Sequence, residues 1–316
     1  MRSTESRVNN TLAVTVDIED WYHLPSVTGS FFSEYGSVDD FFKRFKGRYD
    51  YLSSPTRRIL DFFDELDLHA TFFVVADVLD HYPGLIERVR EHGHEIACHG
   101  LHHMCIIDPE TRKPVISQQE FEMRMGEAKR KLEKISGEEV IGFRAPNAYI
   151  SGWMLDSLEK IGYDYDSSVC VNSLYNKADV KPNLVTTKPY FPQRGSLEVG
   201  KDQRILEMPW PYWNVGGIKF PVAGGPLLRF LGSRYIMAGL EQSLRRGDTV
   251  FYFHPLDISS EIFPVRFSLK RPFFWSVKGR CVERGIRHIL THIKARRGTC
   301  RDIWKKTLKN RGEDLK

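Results

Sequence analysis

The chain has 316 residues, 41% hydrophobic and 28% charged, which suffices for a large globular core and excludes a disordered or fibrous protein. No apolar run approaches the roughly 18 residues of a membrane span, and MRSTESRVNN lacks the apolar centre of a secretory leader, so the sequence predicts a cytoplasmic protein. The net charge of +5 is uneven: residues 266–316 hold 16 Lys and Arg against 4 Asp and Glu, a net of +12, which leaves −7 for residues 1–265.

In chain order, TLAVTV (11–16) reads as a buried strand, and Ser54-Pro55 opens a helix with Ile59, Phe63 and Leu66 on one face. ATFFVVA (70–76) is the next strand, Pro83 starts a helix that ends near Gly93, and HEIACH (94–99) is a third strand. The helix from Ser117 aligns Phe121, Met125, Ala128, Leu132 and Ile135 and closes at Gly137. Strand VIGFRA (140–145) follows, then a helix from Ser151 with Met154, Leu158 and Ile161, stopped by Gly162. Residues 171–204, with scattered Pro, Gly and Asn, read as an irregular insertion. Strand ILEMPW (205–210), a helix over about 226–246 and strand TVFYFH (249–254) complete the pattern. Strands alternating with helices predict a parallel sheet, open or closed into a barrel. Five cysteines, odd in number and without a CxxC pair, fit reduced thiols.

Chemistry-bearing residues fall at strand ends. Asp17, Glu19 and Asp20 end the first strand, His99, His102 and His103 the third, Arg144 the fourth and His254 the last. In an α/β barrel all C-terminal strand ends share one rim, where catalytic groups collect. His99 and His103 supply two ligands of a zinc-type site, and an acid of the Asp17–Asp20 group supplies a third. Glu19 shares strand parity with Asp17, whereas Asp20 reaches the same place only if the chain turns first. Another acid of the group remains as a base for water, Arg144 can orient it, and His254 can protonate a leaving group. This is the inventory of a metal-assisted amide or ester hydrolase. His92 and His94 fit a polar surface turn before the third strand, and His102 points away from the ligand pair.

These stretches resemble the polysaccharide deacetylase family (carbohydrate esterase family 4) over roughly residues 11–258. TVDIED stands where the family has Thr-Phe-Asp-Asp, His99-Gly100-Leu101-His102-His103 matches its His-Ser/Thr-x-x-His motif with glycine in the second place, and Arg144-Ala145-Pro146 matches Arg-x-Pro. YDSS (165–168) matches an Asp-centred motif through Asp166, though the same residues suit a local turn cap, and FYFHP matches an apolar run ending in His254. DIEDWYH, Glu207-Met208-Pro209 and PVAGG resemble a branch linked to exopolysaccharide and exosortase loci. The resemblance implies an α/β fold, a distorted (β/α)7-type barrel, binding one divalent metal, most often zinc. It implies Asp17 as base, Arg144 as its orienter, His99 and His103 as ligands, His254 as acid and Asp166 tuning His254. The family's third ligand follows its base directly; here that residue is Ile18, so Glu19 or Asp20 takes the place.

The reading is therefore a metal-dependent hydrolase removing N-acetyl or O-acetyl groups from an amino-sugar glycan or lipid-linked sugar. Another carbon–nitrogen hydrolase, such as a deformylase or an allantoinase-like amidase, and an inactive glycan-binding barrel are its alternatives. The predicted division is a catalytic barrel over 1–265 and a basic, helical C-terminal extension over 266–316. In that extension Val282, Ile286, Ile289 and Ile293 recur at helical spacing, which fits a terminal helix packed on the barrel with a solvated basic tail. Phe273, Phe274 and Trp275 lie among basic residues, a pattern suited to peripheral contact with the inner face of a membrane. No nucleic-acid partner is expected, because the body is acidic and carries no such motif.

Overall fold

The computed structural model describes residues 10–24, 27–28, 35–46, 50–181, 183–261 and 277–312. Strand β1 (Thr11–Ile18) is buried along its whole length and lies at the centre of a curled parallel sheet. A strand covered on both faces must be apolar throughout rather than alternating, which is the character of TLAVTV. Strands β2 (Thr71–Val74), β3 (Glu95–Cys98), β4 (Gly142–Phe143), β5 (Tyr165–Asp166) and β6 (Leu206–Glu207) follow in spatial order, each parallel to the one before. A hairpin of β7 (Tyr212–Val215) and β8 (Ile218–Pro221) stands apart from them. Strand β9 (Thr249–Phe253) returns to the free edge of β1, in parallel. The order β9-β1-β2-β3-β4-β5-β6 makes a distorted (β/α)7-type barrel among the described residues. Strands β6 and β9 do not pair; instead Ala223 accepts the Tyr252 N–H at 2.9 Å, so the PVAGG stretch lies along β9. Gly224 is required there, since a Cβ would stand 1.8 Å from the Tyr252 carbonyl oxygen.

Helices α1 (Val38–Arg44), α2 (Ser53–Glu65), α3 (Leu85–Glu91), α4 (Gln118–Ser136), α5 (Gly152–Lys160), α6 (Pro226–Arg246) and α7 (Pro255–Ile258) come before the C-terminal part. In α4 the Ser117 hydroxyl accepts the Glu120 N–H at 3.2 Å, Gly137 closes the helix at φ 69°, and Phe121, Met125, Ala128 and Leu132 are buried. These are the cap, stop and stripe that the sequence displays. No helix among the described residues is long and apolar enough to cross a membrane.

Strand parity divides the core in two. Leu12, Val14 and Val16, with Phe72, Val74, Ile96, Phe251 and Phe253, join the larger cluster, which contains the buried faces of the helices. Ala13, Phe73, Ala97, Tyr165, Leu206, Val250 and Tyr252 fill a second cluster inside the barrel. Asp17 and Glu19 continue the parity of Ala13, His99 that of Ala97, and His254 that of Tyr252, so all four aim at the interior.

The basic C-terminal segment is not a solvated appendage in its described part. Helix α8 (Arg280–His292) buries Val282, Ile286, Ile289 and Leu290. Strand β10 (Arg296–Gly298) pairs in parallel with Thr11–Ala13 on the edge of β1 opposite β9, below β2. Helix α9 (Cys300–Arg311) then places Cys300 and Ile303 in the interior cluster. Its first turn donates from the Cys300 N–H to Thr71 Oγ1 at 2.8 Å and from the Arg301 N–H to Glu95 Oε2 at 3.0 Å. Thr71 and Glu95 begin β2 and β3, so α9 closes the N-terminal end of the barrel. The stripe Val282, Ile286 and Ile289 marks α8 as a packed helix along the chain. The charge around β10 and α9 disguised the roles of those two elements, because half of an amphipathic helix is solvated and an Arg-rich three-residue strand has no apolar signature. Phe273, Phe274 and Trp275 lie outside the described residues.

Candidate active site

The C-terminal ends of β1, β3, β4 and β9 open into one cavity of about 510 Å³, lined among others by Asp17, Glu19, His99, His103, Arg144 and His254. Glu19, His99 and His103 are buried and each offers one ligand atom within 4.8 Å of the others. The His99 Nδ1 is 2.8 Å from the Arg144 carbonyl oxygen, and the His103 Nδ1 is 3.0 Å from that of His23. A carbonyl only accepts, so each Nδ1 carries the hydrogen and each Nε2 faces inward. His103 Nε2 stands 2.6 Å from Glu19 Oε2, and against burial that carboxylate raises the ring's pKa. Burial pulls His99 down to about 4, which keeps that ring neutral, as a metal ligand must be. Burial opposes charge on Glu19, yet His103 and His254 outweigh it and hold the carboxyl well below the ordinary carboxylate range. Two imidazoles and one carboxylate, with water access from the cavity, fit a divalent metal of the zinc class.

Asp20 does not join this set. The chain turns after Glu19 into a short 3-10 helix, Trp21–His23, and Asp20 caps it. Its Oδ1 accepts the Trp21 N–H at 2.6 Å, and its Oδ2 accepts the Tyr82 hydroxyl at 2.5 Å. Glu19, on the parity of Asp17, is the acid that lies with His99 and His103.

On one side of the triad stands Asp17, whose Oδ1 accepts from Arg144 Nη1 at 2.7 Å. Arg144 is fully buried; Nη1 also donates to Thr15 Oγ1 at 2.8 Å, Nε to the Ser167 carbonyl at 3.0 Å, and Nη2 to Ser167 Oγ at 3.0 Å. Its guanidinium lies 4.0 Å from the centre of the Phe73 ring. On the other side, His254 Nε2 is 3.1 Å from Glu19 Oε1 and Nδ1 is 2.9 Å from Asp257 Oδ2. Burial alone would discharge His254, but Glu19 and Asp257 overcome it and push the ring up to about 9.

Asp166 does not tune His254. Tyr165 takes the interior position on β5, so Asp166 faces the other way; its oxygens accept from the Ser168 N–H at 3.0 Å and the Ser168 hydroxyl at 2.7 Å. Ser168 Oγ in turn accepts the Ala145 N–H at 2.8 Å, so Asp166 supports the loop after Arg144. Glu207, on the same face of β6, is fully buried, and burial together with Asp166 holds its carboxyl far above the ordinary range. The group that meets His254 is Asp257, which sequence reading missed. Its signal was present in His254-Pro255-Leu256-Asp257, a capping-box spacing in which Asp257 also accepts the His254 N–H at 2.8 Å.

Of the remaining histidines, His102 Nδ1 is 3.0 Å from Asp77 Oδ2, and its side chain is half exposed, away from the triad. His92 pairs at the surface with Asp64 at 2.8 Å. His94 is buried, not a surface group: it packs on Phe63 and Phe72 and accepts the Ala70 N–H at 3.3 Å. Of the aromatics near strand ends, Trp21 and Tyr22 are core residues, whereas Trp210 lines the cavity.

Residues 46–165 match the family model for polysaccharide deacetylase, and the fold matches, over 97% of this chain and 92% of the other, the crystal structure of a Mycobacterium smegmatis protein classed in that group, at TM-score 0.61 and 18% identity. Over residues 46–165 the chain is similar to the polysaccharide deacetylase family. That matched stretch holds His99, His103 and Arg144; Asp17, Glu19 and His254 lie outside it and are brought to the same cavity by the fold. Residues 183–304 match a second model, a domain of unknown function (DUF3473), which takes in His254 and Asp257. A peptidoglycan-N-acetylglucosamine deacetylase of Bacillus cereus is 27% identical over 108 residues, 34% of this chain and 47% of its own. An uncharacterised 30.6 kDa protein of Geobacillus stearothermophilus is 27% identical over 146 residues, 46% of this chain and 52% of its own. The chain thus spans about half the length of the curated relatives it matches.

Proposed function

We propose that the protein is a metal-dependent hydrolase that removes acetyl groups from an acetylated amino-sugar glycan or lipid-linked sugar in cell-surface polysaccharide metabolism. The observation that carries this reading is the buried triad Glu19, His99 and His103, set between the Arg-held carboxylate of Asp17 and the Asp-held imidazole of His254. The family match and the peptidoglycan deacetylase relative support the sugar substrate, and the second matched stretch supports the exopolysaccharide branch. Glu19, His99 and His103 would hold the ion; zinc is proposed from the family resemblance, since imidazole and carboxylate donors also suit cobalt, manganese and iron. When bound, the ion supplies Lewis acidity to the acyl carbonyl and to water.

The remaining work falls to the chain itself. Asp17, fixed by Arg144, takes the proton from the water as it attacks the carbonyl carbon. His254 then gives the Nε2 proton to the departing amine nitrogen or, for an ester, to the oxygen. Asp257 holds the opposite ring nitrogen protonated and so fixes the ring's direction. Trp210 offers an aromatic wall to a sugar face.

Elemental analysis with an acetate-release assay tests the proposal. About one zinc-class ion per chain and acetate from an acetylated amino sugar are expected. No stoichiometric metal after reconstitution would overturn it, and formate in place of acetate would identify a deformylase.

Peripheral membrane contact is proposed on composition, with Arg280 and Arg284 lining a basic cleft of about 730 Å³. Removing residues 266–316 would not test it, because that deletion also removes β10 and α9. Co-sedimentation with anionic vesicles is expected to weaken in a double Arg280→Ser, Arg284→Ser variant; unchanged binding would sink the idea.

A further inference from the structure

Three cations outside the histidines line the catalytic cavity: Arg144, Arg229 and Lys177. Arg144 is held by Asp17, and Arg229 Nη1 is 3.3 Å from Asp257 Oδ1. Lys177 differs. Its Nζ donates to the Asn147 carbonyl at 2.9 Å and stands 5.4 and 5.6 Å from the ring centres of Tyr149 and Tyr175. Among the described residues it forms no ion pair, although an ammonium has three donors.

The surroundings make that surplus charge informative. The lysine is partly buried, and burial lowers its pKa, so the site bears a cost for keeping an ammonium there. Asp17 and Asp257 are each committed to an arginine, and Glu19 faces His103 and His254. Of the cavity acids only Glu19, already shared between His103 and His254, acts on Lys177, and it does so without an ion pair; a divalent ion would add further positive charge. A concave site of net positive charge draws an anion. Residue 177 also falls between the two matched stretches, 46–165 and 183–304, so neither match gives it a role.

We propose that the substrate bears an anionic group, phosphoryl or carboxylate, and that Lys177 receives it on the cavity wall while the acyl group lies at the Glu19, His99 and His103 triad. The proposal rests on the deacylase reading above. Lys177 is a specificity residue here: it contacts the charge of the substrate, not the scissile bond. A lysine suits this task as a point charge able to follow a phosphoryl or carboxylate oxygen.

The test compares wild type, Lys177→Met and Lys177→Arg as metal-loaded full chains on three substrates. These are a neutral N-acetylglucosamine trisaccharide, N-acetylglucosamine 1-phosphate and an acetylated oligosaccharide containing a uronate. In Lys177→Met, KM is expected to rise at least about tenfold on an anionic substrate, with kcat and the neutral substrate changed less than about threefold. Lys177→Arg should recover most of the loss. The anionic substrate that responds identifies the source, phosphoryl or uronate. An equal loss on neutral and anionic substrates would overturn the proposal, since it would mean that Lys177 only props the Asn147 loop. If wild type hydrolyses none of the three, the deacylase reading fails and pyrophosphate binding by calorimetry decides the anion site. Weaker binding in Lys177→Met upholds it, and equal or absent binding in both rejects it.

Discussion

Asp257 accepts the Nδ1 hydrogen of His254 at 2.9 Å from three residues further along the same turn. That bond fixes which ring nitrogen faces the cavity, and it comes from a local turn, whereas the family-like Asp166 lies on the opposite face of its strand. Asp257→Asn removes the charge but keeps the shape. Acetate release is expected to fall about 10²-fold or more in kcat, the range of a misdirected acid–base group. Asp166→Asn should leave kcat within about tenfold and act mainly on thermal stability, through Ser168 and the Ala145 N–H. Equal kinetic losses in the two variants would contradict this assignment.

Neighbouring acids on the first strand separate in the same way. Glu19→Gln is expected to lose the bound ion in elemental analysis. Asp20→Asn should keep it but lower stability by about 1–3 kcal/mol, through the weakened cap and the bond from the buried Tyr82 hydroxyl. Metal loss in Asp20→Asn alone would reverse the two roles.

His94 sets a dependence of stability on pH. Burial, with His69 and His92 nearby, lowers it from 6.5 to about 4. Above pH 6.5 both folded and unfolded chains carry it neutral, and no penalty exists. As the pH falls towards 4 the unfolded chain gains a proton that the folded chain refuses, so stability is lost, by about 2 kcal/mol at pH 5. Asn at this position can still accept the Ala70 N–H. In His94→Asn the difference in unfolding free energy between pH 7.5 and pH 5 should shrink by that amount, as read from urea melts. An unchanged difference would assign the acid sensitivity elsewhere.

Closure by α9 predicts that a chain ending at residue 295 loses cooperative unfolding, because the edge of β1 and the polar groups of Thr71 and Glu95 are then uncovered. The milder Arg301→Met should lower stability while leaving metal content intact, since it removes the 3.3 Å contact between Arg301 Nε and Glu95 Oε1. A truncated protein with a native melting curve would restore the picture of a detachable extension.

Much of this protein was legible along the chain. The strand runs, the α4 stripe with its Ser117 cap and Gly137 stop, and the strand-end positions of Asp17, His99, Arg144 and His254 follow from local periodicity, and that periodicity dictates the barrel and its rim. The hairpin of β7 and β8 was missed although Gly216-Gly217 marks it, with φ of 58° and 90°. Other features depend on contacts between distant segments. Local sequence allowed Glu19 or Asp20 beside the two histidines, and the turn at Asp20, anchored on Tyr82 from 62 residues away, leaves Glu19 there. Parity on β5 could have removed Asp166, but only the pairing of β5 with β4 and β6 identifies the interior face. The burial of His94, the insertion of α9 into the barrel end and the isolation of Lys177 have no local signature. Each depends on which charges and rings the folded chain brings near, and pattern along a sequence reports faces, not neighbours.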